Sequence, residues 1–205
     1  MISIIIPWVN FILLNVFGVV CWYFYIKSVM PAHREEKVGP KAWEDCKRYR
    51  SISGFFIILI VIQIILWIWI PIPGLNWIIS PNPWIPIIAG IAVAIPCTII
   101  LAKAVMDAGS ETMVPEKDHQ MYGGIYRHIR HPQMLGEMPW YFLIPLFMNQ
   151  LFIFLYSLLF VLIVVPIVIH FEDKDLIKRF GDPYIKYREE TGALIPKFWR
   201  RKKKH

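Results

Sequence analysis

Ionisable side chains are missing from most of this chain. Over 205 residues, none of Asp, Glu, Lys, Arg or His occurs in 1–26, 51–102 or 138–169. Charged residues make up 18% of the sequence against 57% hydrophobic ones, and the mean hydropathy is +0.49. That balance excludes an ordinary soluble domain. Cysteine is scarce as well. Cys21, Cys46 and Cys97 stand alone, two of them inside apolar runs, with no pairing pattern or metal-ligand spacing, so a disulfide scaffold is excluded. The first apolar run lacks the basic head and small-residue cleavage site of a removable leader, and it reads as a retained span. No nucleic-acid-binding module accompanies the net charge of +7, so nucleic acid is not an expected partner.

A spanning helix needs about 20 mainly apolar residues. The uncharged stretches accommodate five spans, at about 3–29, 52–70, 84–105, 133–147 and 151–169, the fourth being short for a full crossing. Pro71, Pro73, Gly74, Pro81 and Pro83 punctuate an uncharged loop between the second and third. Pro96, Pro145 and Pro166 fall inside spans, where kinks leave room for a cavity. With five spans every Lys and Arg falls on one side of the membrane, and four or six would break that segregation. The positive-inside rule makes this side cytoplasmic. The expected fold is therefore an all-α integral membrane protein of five transmembrane helices, with its N-terminus outside and its C-terminus cytoplasmic. Residues 1–106 hold the first three spans, 107–198 a catalytic region and 199–205 a basic tail.

After the last span, Gly181 ends the helix, Asp182 reads as an N-cap, and Pro183 opens a short helix to about Thr191. Tyr184 and Tyr187 share one face of it and read as packing residues. The basic run Lys197 to Lys204 is expected on anionic headgroups, at about 1 kcal/mol per charge.

The densest polar block runs from Lys117 to Glu137, and polar chemistry resumes after the last span at His170, Glu172 and Asp173. Ionisable groups at the mouth of a span are costly unless paired or ligand-bound. The two clusters are therefore expected to form halves of one cytoplasmic site. Pro132 is expected to open the fourth span with His131 as its cap, leaving the amides of Gln133 and Met134 free to meet an anion. Gly123 and Gly124 permit a close backbone approach, and Tyr126 and His131 line one wall. Such a pocket, with a carboxylate across the span, suits a zwitterionic ligand carrying an extra cation. His119, His128 and His131, with Glu137 nearby, match no zinc spacing, so no metal is expected. Arg127 and His128 read as headgroup or topology residues, and Glu137 as either a helix-pairing or a substrate-side residue.

Gly124-Ile125-Tyr126, Arg130-His131-Pro132, Gly136, Glu172, Leu176, Phe180-Gly181, Tyr184, Tyr187 and Leu194-Ile195-Pro196 stand in an order around one span that resembles the isoprenylcysteine carboxyl methyltransferase family. The resemblance covers about Lys117 to Phe198. It implies transfer of a methyl group from S-adenosylmethionine to the carboxylate of a C-terminal prenylated cysteine, or a similar lipid-like acceptor, among membrane lipids. By the same resemblance, His119, Gln120, Met121 and Tyr122 form one cofactor strip, Tyr126, His131, Pro132, Gln133 and Met134 a second, and Glu172 a cofactor-contacting carboxylate. The family arginine four residues before that glutamate is Val168 here, and the tyrosine after His-Pro-x is Met134. Arg130 or Arg127 then meets the substrate carboxylate, or the substrate differs. Arg130 and Glu137 are the candidate catalytic residues. Phospholipid N-methyltransferases are similar in cofactor and fold. Membrane sterol and enone reductases, which use NADPH, share a segment like Arg130 to Glu137.

Overall fold

In hydrocarbon every backbone N–H and C=O needs an internal partner, so long uncharged runs cross as helices. The computed structural model describes residues 2–112, 114–115, 117 and 123–197, without the side chains of 2–4 and 111. Four of its helices are long and apolar enough to cross a membrane: α1 (Ile2–Ser28), α3 (Lys41–Leu66), α4 (Trp84–Ala108) and α7 (Leu151–Phe180). These correspond to the first, second, third and fifth expected spans. Two reach further than hydropathy alone marks. α3 begins within the charged segment, and α7 continues past Ile169 and carries Glu172 and Asp173 on its last turns.

The remaining expected span, 133–147, is not one helix. It is a pair, α5 (Pro132–Glu137) and α6 (Trp140–Phe147), parted at Met138-Pro139. Pro139 has no N–H to return to the preceding turn, so the hydrogen-bond ladder is interrupted there. The pair still joins opposite ends of the bundle. At one end His131 meets Glu172 of α7, with Nδ1 and Oε2 2.9 Å apart. At the other, Oδ1 of Asn149 accepts from the N–H groups of Ile79 and Ser80, both at 3.0 Å, in the loop between α3 and α4.

The segment between α1 and α3, expected as a loop, contains α2 (Pro31–Val38). Its first free amides are satisfied from another helix. Ala32 and His33 donate from their backbone N–H to the Asp175 carboxylate of α7, at 3.2 and 2.8 Å. Asp175 is only 1% exposed, so this cap ties α2 firmly to the end of α7. Beyond α7, Gly181 takes φ +65°, a left-handed conformation that glycine adopts without strain. The same glycine, not Asp182, is the N-cap of α8 (Asp182–Glu190), and Asp182 lies in its first turn.

Two contacts set the packing. Between α1, α3 and α7, Trp67 stacks on Phe152 with centroids 5.3 Å apart, above a buried layer of Cys21, Trp22, Ile64 and Val168. Between α4 and α5 the backbones themselves touch. A Cβ on Gly136 would lie 2.7 Å from the Cys97 carbonyl and from Leu101 N and Cβ. The ends of α1, α3, α4 and α7 that carry Lys and Arg gather at one end of the bundle, where Asp175 meets α2 and Arg50 meets Thr112.

Candidate active site

At the charged end the helices do not close. A cavity of about 270 Å³ opens there, and faces of several helices form much of its wall. From α3 come Arg50, Ser53, Gly54 and Ile57, at the i, i+3, i+4, i+7 spacing that puts residues on one side. Glu172, Asp175, Leu176 and Arg179 repeat that spacing on α7. The α5 wall presents Gln133, Met134 and Glu137, and Tyr25 and Val29 close the cavity from the end of α1.

The two polar clusters read from the sequence do meet in this cavity. Tyr126, Arg130, His131, Pro132, Gln133, Met134, Glu137 and Glu172 all line it. His119, Gln120, Met121 and Tyr122 lie outside the described residues.

His131 caps α5, but its side chain makes no capping bond. Instead the imidazole is committed on both sides, Nδ1 to Glu172 and Nε2 to Asp173, each at 2.9 Å. Burial disfavours charge on this ring. Glu172 and Asp173 outweigh it and hold the pKa up to about 9, so the group is an imidazolium at neutral pH. Asp173 accepts two further hydrogen bonds. Arg130 Nη2 donates to its Oδ2 at 3.0 Å, and Tyr184 Oη donates to its Oδ1 at 2.5 Å. With two cations, two carboxylates and a phenol, the cluster is locally neutral, the condition under which buried charge is tolerated. α5 itself has six residues, so it has little dipole to offer an anion.

Arg130 is placed as a clamp. Besides Asp173 it donates to the carbonyls of Arg188, at 3.1 Å, and Thr191. The strip it holds pairs with its own. Ile129 bridges Gly192, and the N–H groups of Arg130 and His131 donate to Gly192 and Ala193 at 2.9 and 3.0 Å. Leu194 of the Leu-Ile-Pro motif packs against the core, which gives that motif its structural role. The tyrosines of α8 are more than packing. Tyr187 donates to the Tyr126 carbonyl at 2.5 Å, and burial raises the phenol pKa of both Tyr184 and Tyr187, which keeps them neutral donors. A carboxylate anchors the glycine turn as well. Gly124, at φ +57°, lies against Asp107, whose Oδ2 accepts from the N–H of Ile125 at 2.7 Å.

Sequence reading missed the first half of the chain as a contributor. Tyr25, Arg50, Ser53 and Ile57 carried no pattern beyond hydropathy and topology. The one available signal was the position of Arg50, among the last charges before the long neutral stretch.

The cavity's chemistry suits a cofactor that is at once zwitterionic and cationic. Glu172 is 30% exposed at its side chain and presents a carboxylate to such a group. Arg130 Nε is a buried donor with no acceptor among the described residues. Met134 and Leu176 supply apolar surface beside them.

Residues 85–183 match the family model described as phospholipid methyltransferase. The matched span runs from α4 to the start of α8, a little under half of the chain, and stops before Tyr184, Tyr187 and Leu194. This family belongs to the same membrane methyltransferase superfamily as the isoprenylcysteine carboxyl methyltransferases. No curated protein and no solved structure matches the chain. Together with four helices able to span a bilayer, the match supports a multi-pass membrane methyltransferase.

Proposed function

We propose that the protein transfers a methyl group from S-adenosylmethionine to the carboxylate of an isoprenylated cysteine or a similar lipid-like acceptor, at the cytoplasmic face of a membrane it crosses five times. The observation that carries this reading is the meeting of His131 and Glu172 in a cavity walled by membrane helices. The fourth crossing in chain order, beside the four long helices, is the α5–α6 pair, which joins the two ends of the bundle. The clustering of Lys and Arg at the cavity end supports the orientation.

When bound, the cofactor supplies an electrophilic methyl on a sulfonium. Glu172 offers it a carboxylate, with His131 fixing the orientation of that carboxylate through Nδ1. Tyr126, Pro132, Gln133 and Met134 complete the described part of its cradle, and His119, Gln120, Met121 and Tyr122 are proposed to close it. A carboxylate acceptor has a pKa near 4, so at neutral pH it is already ionised and asks no base of the protein. What remains is alignment and exclusion of water, and orientation alone can contribute on the order of several kcal/mol. In this scheme Arg130 acts by holding Asp173 and the segment after α8, and Glu137 lines the acceptor side.

A second reading, N-methylation of a phospholipid amine, is favoured by the family match and by the Glu137 carboxylate in the cavity wall. The test is calorimetry of the detergent-purified protein with S-adenosylmethionine, its demethylated product and NADPH, without added metal. Radiolabel transfer to a farnesylated cysteine analogue and to phosphatidylethanolamine vesicles then follows. Micromolar binding of the methyl donor and label on the cysteine analogue are expected. Label on the phospholipid alone would favour the second reading, and NADPH binding without response to the donor would overturn both.

A further inference from the structure

Among the described residues, three carboxylates stand in the cavity wall, those of Glu137, Glu172 and Asp175. Two are committed. His131 holds Glu172, and the amides of Ala32 and His33 hold Asp175. The Glu137 carboxylate makes no hydrogen bond and no ion pair among the described residues. The charge of Arg50 reaches it, while that guanidinium is itself bound to the Thr112 carbonyl at 2.9 Å. Helix pairing, one of the two roles the sequence leaves to Glu137, needs a partner on a neighbouring helix, and the described residues supply none. The direction of the side chain is fixed by its neighbour. Gly136 seats α5 against the backbone of α4 at Cys97 and Leu101, which leaves Glu137, with Gln133 and Met134, on the cavity side. Val29 and Ile57 add apolar surface to the same cavity. Tyr25 lies within electrostatic reach of Glu137 and Glu172 alike, so the two carboxylates share one space. In the reading above Glu172 faces the methyl donor, and Glu137 is left to the acceptor.

We infer that Glu137 orients the methyl acceptor by accepting a hydrogen bond from an N–H group beside its reacting atom. The inference rests on the methyltransferase reading above and gives the acceptor side of that site a specific contact. Both candidate acceptors carry such a group. In a prenylated cysteine the amide N–H sits on the carbon next to the carboxylate, and in phosphatidylethanolamine the ammonium is the reacting group itself. An ionised acceptor makes a stronger hydrogen bond than a neutral one, and the bond offsets the cost of keeping a carboxylate within a span. Toward an acid that lacks the N–H, the same carboxylate is only a repulsion. Glu137 is then a specificity residue for the acceptor and has no part in holding the donor.

The test uses the full chain in lipid nanodiscs, with Glu137→Gln and Glu137→Leu beside the natural protein. Calorimetry with S-adenosylmethionine should give donor affinities within about twofold of one another. KM is then compared for N-acetyl-S-farnesylcysteine and for S-farnesyl-3-thiopropionic acid, the same acid without its amide. The natural protein should favour the amide-bearing acid by about tenfold, a ratio that needs no variant to read. Glu137→Leu should bring the two KM values together, and Glu137→Gln, which keeps an accepting oxygen, should retain most of the preference. If phosphatidylethanolamine vesicles take the label instead, the group held is the ammonium, and both variants should raise its KM because neither carries the charge. Equal KM values for the two acids in the natural protein, or a preference that survives in Glu137→Leu, overturns the inference and leaves the methyltransferase reading intact. An unchanged KM for phosphatidylethanolamine in both variants, where that lipid is the substrate, does the same. Absence of donor binding by the natural protein overturns the reading and the inference together.

Discussion

His131 and Glu172, 41 positions apart in the chain, stand 2.9 Å apart between imidazole Nδ1 and carboxylate Oε2. The whole of the hydrophobic part of α7 intervenes in sequence, yet the two belong to one ionic cluster at the cavity. If that cluster orients the carboxylate offered to the cofactor, Glu172→Ala and His131→Ala should each weaken donor binding by about tenfold or more, roughly 1.4 kcal/mol. Calorimetry on folded variants checks this, and unchanged affinity in both would remove the site.

The titration of His131 gives a pH dependence with a definite sign. Its folded-state pKa, about 9, stands above the value near 6.5 of an unfolded histidine. The stability it contributes is therefore complete below about pH 6.5, declines as pH rises, and is gone once pH has passed about 9. Melting temperature in detergent should fall across that window for the natural protein and run flatter for His131→Gln. A parallel pair of curves would mean the ring is not charged in the fold.

Arg130 and Asp173 form a pair with side chains 9% and 10% exposed. Removing the cation leaves a buried carboxylate short of partners. Arg130→Met is expected to cost about 3–5 kcal/mol. Tyr184→Phe removes one donor to the same carboxylate and should cost less, about 1–3 kcal/mol. Thermal unfolding gives the order, and limited proteolysis after α8 should be faster in Arg130→Met, because that side chain also holds the carbonyls of Arg188 and Thr191.

Two glycines of α4 and α5 should respond unequally to alanine. At Gly136 the new methyl meets the backbone of α4 at Cys97 and Leu101, which cannot move without shifting the helix. At Gly90 it meets the Phe147 ring, a side chain able to turn away. Gly136→Ala should therefore lose about 1–3 kcal/mol and Gly90→Ala less. Equal melting temperatures would show that α4 and α5 part easily.

Much of the architecture was legible because it follows from composition over short windows. A helix that must cross hydrocarbon is uncharged along its length, so α1, α3, α4 and α7 announce themselves by what they lack. The site's two halves were legible for the same reason, since Arg130-His131 and Glu172-Asp173 each interrupt an apolar surrounding. The break at Met138-Pro139 was harder to see. Prolines are common in spans, and only the surrounding hydrogen bonds decide whether one bends a helix or divides it. α2 was hidden because its N-terminal partner, Asp175, lies more than 140 positions away. The packing role of Tyr184 and Tyr187 was half right: periodicity places them on one face, and hydrogen bonds to Asp173 and Tyr126 make them part of the site.

The chain by itself determined which stretches enter the bilayer, where ionisable chemistry is allowed, and which residue types are available to hold a charged cofactor. These are local properties, settled by the cost of burying charge or leaving a peptide group unpaired in lipid. Only the packed bundle decided that Arg50 and Tyr25 share a cavity with His131, that Arg130 turns inward to Asp173, and that Val168 is lost to the core. Those outcomes depend on which helices are neighbours and how each is rotated about its axis. Close contacts such as Gly136 on α4 set that rotation, and no window of sequence contains both sides of such a contact.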